Sequence, residues 1–476
     1  MPVPPRPATR FASLALAVLT TATAAPARSQ ESSPGTVRDR TEREWEVKLD
    51  KLETTLQDHM RANGIDMWLI LSRENDPDPV VELFGDYMST WAGHRNAFIF
   101  HDPGGERPLE RIILGTHVRG HILPFFPDTP GAGHGYGEEG LAPHLRAYVH
   151  ARDPGTIAIN RSPTVTMADG LSLEGYRYLL EALGPGNESR FVSAEPLLID
   201  YVSHRTPAEL AISVEASWIT FNLLRRAFSN EVITPGVTTN GDVYWWLLQQ
   251  VEDQGLELNF SPSVTIHRQG ADRSFGVHED RTIEPGDMLH VDFGVKLMGI
   301  GTDQQKQIYV LRPGETEPPD GLRALFEQSK RMAEIITQEL RPGVEGRTVK
   351  ARAEARGAEE GIRNLVYSHA QGSWVHDAGA WAIADWPERY GNHPREPVRP
   401  TEFWSVEYSV TGRIPEWGGQ ELGMGREEDG WVDADGAFHW MSGPQLELWT
   451  VRSPEGVRTA PVEGSAPLPP GGPSLP

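Results

Sequence analysis

The sequence predicts two domains, an α/β domain followed by an α+β domain built from two similar halves. Three observations support this prediction. The chain has 476 residues, which is longer than a single hydrophobic core usually serves. Helical patterns alternate with short apolar runs in its first half. In the second half, a helix–Pro-Gly-Val–helix pattern occurs twice, and strand-like segments follow it each time.

The N-terminus has the pattern of a cleaved secretory signal peptide. Arg6 and Arg10 precede an apolar run at 11–19, and small residues follow at 22–27. A membrane anchor is the alternative, but this run is shorter than the about 20 residues that span a bilayer. We therefore expect a signal peptide at 1–27 and an exported protein, periplasmic or secreted. The polar residues 28–44 are interpreted as a linker.

The α/β domain is predicted at 45–203. A helix with Leu52, Leu56 and Met60 on one face ends at Asn63-Gly64. The apolar run at 67–71 is typical of a buried strand, and similar runs lie at 97–100, 112–114 and 156–159. Helices that alternate with such strands indicate an α/β sheet.

A domain boundary is predicted at 203–207, with the second domain at 204–460. Thr206 can cap a helix, Pro207 suits the first helical position, and Glu209 completes a capping box. The stripe that follows is expected to pack in the core; it comprises Leu210, Val214, Trp218, Phe221 and Phe228. Residues 461–476, rich in Pro, Gly and Ser, are interpreted as a disordered tail.

The two halves of the second domain share one order of elements. A helix ends at Thr234-Pro235-Gly236-Val237 and the next starts near Asn240. Later, a helix ends at Arg341-Pro342-Gly343-Val344 and another starts near Thr348. Pro-Gly is a common turn, so the prediction depends on the parallel order of elements. Two halves that face each other place a site between them.

Composition restricts the chemistry of that site. The formal net charge of −23 gives the chain little electrostatic attraction for nucleic acid or anionic lipid. The sequence has no cysteine, which excludes disulfides, cysteine nucleophiles and thiolate metal sites. Any metal must be held by carboxylates and imidazoles, which favours Mn, Zn, Co or Fe.

Several acids and histidines of the second domain lie in or beside apolar runs. Asp292 lies within the run 289–294, and a buried carboxylate needs a cation or strong donors. Asp303 follows the turn Gly299-Ile300-Gly301, so two strands joined there can place both carboxylates on one face. The alternative is one turn aspartate and one solvent-facing aspartate.

Further along the chain, His369 and His376 are seven residues apart, and Glu407 lies in the apolar run 404–410. The acidic pair Glu427 and Glu428 precedes Trp431-Val432; such acidic runs are often solvated faces. In chain order these residues give Asp, Asp, His, Glu and Glu. That set of nitrogen and oxygen ligands has the size that two divalent ions need, and a shared water then becomes a hydroxide at neutral pH.

This order and spacing resemble the creatinase/aminopeptidase P/methionine aminopeptidase superfamily, the pita-bread metallopeptidases. The matching motifs are Val291-Asp292-Phe293-Gly294 with Asp303 eleven residues on, His369 with His376, and Val406-Glu407. The resemblance covers about 205–460. The first domain is similar in kind to the creatinase N-terminal domain, which favours the Xaa-Pro branch of the superfamily.

The resemblance implies a site and an activity. The implied metal ligands, for two divalent ions such as Mn or Zn, are Asp292, Asp303, His369, Glu407 and Glu427. Glu407 would also act as general base, and His278 and His376 would contact the scissile carbonyl. The implied substrate is a peptide, and the implied assembly is a homodimer.

The chain departs from the family pattern beside these residues. Asp303-Gln304-Gln305-Lys306 stands in place of Asp-x-Thr-Arg. Leu365 stands where proline-specific members carry a further histidine, and Gly425 stands where they carry an arginine. A register with Glu428 as the last ligand would make Arg426 that arginine.

The sequence therefore predicts a metal-dependent exopeptidase that releases an N-terminal residue, similar to Xaa-Pro aminopeptidases, through attack of a metal-bridging hydroxide. One alternative is a hydrolase of a small non-peptide C–N compound on the same scaffold. Another is a non-catalytic binding homologue. The second alternative is disfavoured because clustered buried acids repel one another without a metal.

Overall fold

The computed structural model describes residues 35–85, 93–116, 122–130, 140–374 and 376–455. The predicted signal peptide at 1–27 and the predicted tail at 461–476 lie outside these residues. Within the described ranges, no helix is both long enough and apolar enough to cross a membrane.

The first domain is a five-stranded sheet with helices. In chain order its elements are α1 Val37–Ala62, β1 Met67–Arg73, β2 Gly93–His101, β3 Glu110–Thr116, α2 Ala142–Arg152, β4 Ile157–Ile159, α3 Leu173–Leu183, β5 Phe191–Ser193 and α4 Glu195–Ser203. The strand order is β3-β2-β1-β4-β5. The four apolar runs predicted as strands are all present.

The position of β1 at the centre of the sheet explains why its sequence is continuously apolar. Trp68 and Ile70 belong to one buried cluster, whereas Met67 and Leu69 belong to another. Both faces of the sheet are thus covered, so the usual alternation of apolar and polar residues is lost.

Helix α1 begins within the segment predicted as a linker. Thr36 and Asp39 form a capping box at its N-terminus, so residues 37–44 are helical and the linker prediction is wrong there. Arg43 pairs with Glu215 of the second domain at 2.8 Å. The polar composition of this stretch therefore belongs to a partly exposed helix end. Asn63 is the C-cap, as predicted.

The second domain contains two helix pairs and two sheets. Its elements are α5 Pro207–Ala227, α6 Asn240–Asp253, β6 Glu257–Leu258, β7 Ser263–His267, β8 Met288–Phe293, β9 Val295–Leu297, β10 Ile300–Gly301, β11 Gln304–Val310, α7 Asp320–Glu339, α8 Gly346–Glu359, β12 Asn364–Val366, β13 His369–Gln371, α9 Pro387–Tyr390, β14 Phe403–Ile414, β15 Gln420–Val432, β16 Phe438–Trp440 and β17 Trp449–Val451. The predicted order of a helix pair followed by strands occurs twice.

The large sheet has nine strands, with the order β12-β14-β15-β11-β8-β7 along its main path. β13 pairs with β14, β16 with β15 and β17 with β11, while β10, β9 and β6 form a separate small sheet. On β14, Val406, Tyr408 and Val410 are buried, and the Tyr408 hydroxyl donates to the Ser329 carbonyl of α7 at 2.8 Å. Glu407 lies between them in sequence and therefore faces the opposite side of the sheet.

Helix α5 begins as predicted, and four of the five residues of the predicted stripe pack against the core: Phe228 is buried, and Leu210, Val214 and Phe221 are partly buried. Thr206 and Glu209 form the capping box. Trp218 is 44% exposed, so its expected place in the core is wrong. The residues of α5 that are fully buried include Ile212, Ser213, Ala216, Ser217, Thr220 and Leu224.

Candidate metal centre

Strand register brings the acids of the large sheet into one row. Gln305 on β11 pairs with Asp292 on β8 and with Glu427 on β15. Glu427 in turn pairs with Glu407 on β14. Directly paired residues on adjacent strands have side chains on the same face, with Cβ atoms about 5 Å apart. Three carboxylates from distant parts of the chain therefore converge.

Asp303 and His369 lie next to this row of acids. Asp303 lies two residues before Gln305, which places the two side chains on the same face of the strand. His369 pairs with Ser405, two residues before Glu407. Its Nε2 lies 3.5 Å from Glu427 Oε1 and 3.8 Å from Asp303 Oδ2.

The donor atoms converge in three sets, each within 4.8 Å: Asp292, Asp303 and Glu427; His369, Glu407 and Glu427; and Asp303, His369 and His376. All five predicted ligands take part in at least one set. His376 also takes part, and its ring contacts that of His369 at 4.4 Å between centroids. His278 does not; among the described residues it lies in an exposed turn at 277–279, outside these sets.

The structure distinguishes Glu427 from Glu428. Glu428 faces the other side of β15, where its Oε2 lies 2.5 Å from Lys306 Nζ and its Oε1 lies 3.1 Å from Arg426 Nη2. Arg426 also donates to the Ser329 hydroxyl of α7 at 3.1 Å. Since neighbouring strand residues face opposite sides, the geometry favours Glu427 as the ligand and gives Arg426 a place in the core.

Three buried polar atoms of the cluster test whether a cation fits. Asp292 Oδ1, His369 Nε2 and Glu427 Oε1 have no hydrogen-bond partner among the described residues. His369 donates its Nδ1–H to the Ala370 carbonyl at 3.2 Å, which leaves the Nε2 lone pair directed to the acids. Buried polar atoms without partners are rare and costly. A divalent ion that accepts nitrogen and oxygen ligands satisfies all three.

The pKa shifts of the side chains in the cluster also favour a bound cation. Burial raises the pKa of Asp292 to about 6, and burial with the Glu427 and Asp292 carboxylates raises the pKa of Glu407 to about 10. Burial and neighbouring carboxylates also hold the pKa of Asp303 well above its usual range. Burial lowers the pKa of His369 to about 4, so its imidazole is neutral. Without a cation Glu407 retains its proton at neutral pH, and a cation reverses this preference.

A hydrogen-bonded layer supports the cluster from within the protein. Asp429 accepts the backbone N–H of Asp303 at 2.9 Å and the amides of Gln371 and Gln304, each at 2.8 Å. The Ser217 hydroxyl of α5 donates to the same carboxylate at 2.9 Å. Asp429 thus fixes the chain at Asp303 and, through Gln371, near His369.

Asp429 and the role of Gln305 were not predicted from the sequence. Four consecutive polar residues of β11 are visible in the sequence, Gln304, Gln305, Lys306 and Gln307, but their burial is known only from the structure. A strand of this kind needs hydrogen-bond partners on both faces.

Aromatic rings line the side of the centre next to His376. The Trp381 ring lies 5.6 Å from that of His376 and stacks on His393 at 4.1 Å between centroids. Leu365, at the position where the resemblance implies a further histidine, is 52% exposed.

Comparison with known proteins now identifies the class of protein. Residues 214–434 match the family model described as Metallopeptidase family M24. This region contains all five predicted ligands. With the fold described above, the match identifies residues 214–434 as a domain of the pita-bread metallopeptidase superfamily. None of the curated proteins compared with the chain matches it.

Solved structures share the fold over most of the chain. The X-Pro aminopeptidase from Thermotoga maritima MSB8 is 17% identical, with a TM-score of 0.62, covering 83% of this chain and 100% of that one. The Xaa-Pro dipeptidase from Bacillus anthracis is 18% identical, with a TM-score of 0.56 and coverage of 85% and 99%. These matches confirm the predicted two-domain architecture.

The N-terminal domain of FACT complex subunit SPT16 from Cicer arietinum (chickpea) is also similar. It is 8% identical, with a TM-score of 0.57 and coverage of 84% of this chain and 96% of that one. Since a protein that is named as a subunit of a complex shares this fold with peptidases, the fold alone does not assign an activity. The assignment must come from the site.

Proposed function

We propose that the protein is a metal-dependent exopeptidase that releases the N-terminal residue of peptides, as Xaa-Pro aminopeptidases do. One observation carries the proposal: four acids and two histidines meet in one cluster, and three of their buried atoms lack any partner among the described residues. The cluster lies within a metallopeptidase domain.

In this proposal, the five converging ligands hold two divalent ions, which supply Lewis acidity and lower the pKa of water. Glu407 accepts the proton of the attacking water and passes it to the leaving amine. Its Oε1 accepts a hydrogen bond from the Gln305 amide at 2.6 Å, which fixes the orientation of the carboxylate. His376 contacts the scissile carbonyl oxygen and stabilises the negative charge that develops there.

A carboxylate that accepts a hydrogen bond from the free α-ammonium group of a peptide would favour an exopeptidase. A blocked N-terminus loses that charge-assisted hydrogen bond. Loss of one such charge-assisted interaction corresponds to about 10–100-fold in kcat/KM.

The test compares free and N-acetylated forms of short Xaa-Pro and Xaa-Ala peptides, with Mn²⁺ or Zn²⁺ added. We expect hydrolysis of the free peptides and about 10–100-fold lower kcat/KM for the acetylated forms. Equal turnover of free and acetylated peptides would refute the exopeptidase proposal. The ratio of kcat/KM for Xaa-Pro peptides to kcat/KM for Xaa-Ala peptides measures whether proline is required after the scissile bond.

Elemental analysis supplies the control for the metal centre. Glu427→Gln is expected to lose metal and hydrolysis, whereas Glu421→Gln, an exposed acid on the same strand, keeps both. Bound metal with no peptide cleavage would favour a hydrolase of a small C–N compound. Absence of metal under all loading conditions would favour a binding homologue.

We also propose export, on the pattern at 1–27. N-terminal sequencing of the protein from cell fractions tests it; an intact Met1 on the mature protein would contradict cleavage.

A further inference from the structure

Gln305 lies at the middle of the centre, between the strands that carry Asp292 and Glu427. It pairs with Asp292 on one side and with Glu427 on the other, and it is buried. A neutral amide therefore occupies the position between two strands of acids.

The Gln305 amide bridges two of the predicted ligands. Its Nε2 donates to Glu407 Oε1 at 2.6 Å and to Glu427 Oε2 at 2.9 Å. Each glutamate thereby has one oxygen held. The other oxygen of Glu427, Oε1, has no partner among the described residues and lies 3.5 Å from His369 Nε2. The amide thus directs the free oxygen of Glu427 toward the histidine.

Two neighbours fix the amide in this orientation. His290 Nε2 lies 2.9 Å from Gln305 Oε1. With a cation bound, the carboxylates are ionised and only accept hydrogen bonds, so the amide nitrogen faces the glutamates and the oxygen accepts the His290 N–H. A Cβ at Gly425 would lie 2.9 Å from Gln305 Oε1 and 3.3 Å from His290 Nε2. Glycine at this position therefore leaves the space that both side chains fill.

We propose that Gln305 is a positioning residue of the metal centre, which orients Glu407 and Glu427 for metal binding and is itself oriented by His290. An amide suits this task because it holds carboxylates without cancelling their charge. A lysine or arginine there would compete with the cation for the same carboxylates. The inference rests on the metal-binding part of the proposed function and is independent of the substrate.

The test measures Mn²⁺ and Zn²⁺ binding to metal-free protein by calorimetry. Gln305→Met keeps the approximate volume and removes the donor. We expect its metal affinity to fall about 10–100-fold, as when other outer hydrogen bonds to metal ligands are lost. Gln307→Met is the matched control: it is a buried glutamine on the same strand, but its amide donates to the Gly425 carbonyl at 2.6 Å. We expect wild-type affinity for this control.

His290→Phe tests the orientation of the amide and carries the inference if Gln305→Met does not fold. His290→Phe alone is expected to weaken metal binding. In the Gln305→Met background it is expected to have no further effect, because the amide that it orients is gone. Thermal unfolding of the metal-free proteins shows which variants remain folded.

The outcomes separate this inference from the proposed function. Wild-type affinity in both Gln305→Met and His290→Phe would overturn the inference and leave the metal centre in place. Additive effects of the two substitutions would overturn the coupling between the residues. A wild-type protein that binds no metal would overturn both proposals. Metal binding without peptide hydrolysis would overturn only the peptidase activity.

Discussion

Asp429 and Glu427 are two residues apart on β15, and their surroundings differ in the way that separates a structural acid from a metal-binding acid. Both are buried. Asp429 accepts four hydrogen bonds from neutral donors, whereas Glu427 Oε1 has no partner among the described residues. The first acid is satisfied by the protein itself. The second requires a proton or a cation.

This difference leads to a prediction for Asp429→Asn. The new amide group faces four donors with one oxygen fewer to accept them, so buried donors lose their partners. We expect the free energy of unfolding of the metal-free protein to fall by about 1–3 kcal/mol. Metal affinity should fall by about tenfold, because the chain at Asp303 is no longer fixed.

Urea unfolding and metal titration measure the two effects of Asp429→Asn. Asp433→Asn, at a partly exposed aspartate just after the same strand, is the control and should bind metal with wild-type affinity. If Asp429→Asn lowers stability but binds metal as tightly as wild type, the layer beneath the centre serves folding alone.

The sequence predicted the individual ligands, the acids and His369, but not the residues that hydrogen-bond to them. An acid in an apolar strand is visible in the sequence because it interrupts an apolar pattern. The role of Gln305 depends on the register of three strands, which single-sequence patterns do not fix. His278 was included by resemblance alone, and the structure places it outside the converging sets.

Helix α5 shows where patterns of apolar residues fail at the level of an element. The face that it buries includes Ser213, Ser217 and Thr220. Ser217 donates to Asp429 and Thr220 bonds to Thr302, so these small polar residues are satisfied within the core. Apolar periodicity treats them as solvent-facing. The predicted stripe therefore lies at the edge of the buried face: it omitted these residues and included Trp218, which is exposed.

The start of α5 was predicted correctly, because capping depends on local sequence. Two helices of the second domain offer a comparison of buried and exposed caps. Thr206 caps α5 in a buried setting, and Thr239 caps α6 with the same capping-box geometry in a more exposed one.

We expect Thr206→Ala to lower the free energy of unfolding by about 1–3 kcal/mol, because it leaves the buried Glu209 N–H without an acceptor. Thr239→Ala should cost only about 1 kcal/mol, since water can replace the lost partner. Chemical denaturation of both variants measures the difference. Thr206→Ser retains the acceptor and should stay close to wild type; a loss as large as that of Thr206→Ala would assign the effect to the missing methyl group.

At the scale of the whole molecule, Glu209 connects the two domains. Lys51 of α1 reaches its Oε1 at 2.9 Å, and Arg205 reaches the same oxygen at 2.9 Å. Arg205 also donates to the Gln371 carbonyl at 3.0 Å, next to the metal centre. One buried apolar cluster contains residues of both domains. The sequence placed the domain boundary here but gave no indication of this ion pair.

The ion pair gives stability a defined pH dependence. Burial by itself raises the pKa of Glu209, but Lys51, Arg205 and the Thr206 N–H together lower it to about 2. Burial lowers the pKa of Lys51 to about 8, so both partners are charged at pH 7. Because the folded-state pKa of Glu209 lies below its ordinary value of 4.5, its stabilising effect is complete above about pH 4.5 and is lost as the pH falls toward 2.

Glu209→Gln should therefore lower the free energy of unfolding by roughly 3 kcal/mol at pH 7, since it leaves the buried Lys51 and Arg205 without their carboxylate. The difference between wild type and variant should shrink as the pH falls from about 4.5 toward 2, because the wild-type carboxyl becomes protonated and resembles the amide. Denaturant unfolding at pH 7, 5 and 3 measures this trend. A difference that stays constant over the three pH values would mean that shape and packing at Glu209, rather than its charge, join the first domain to the second.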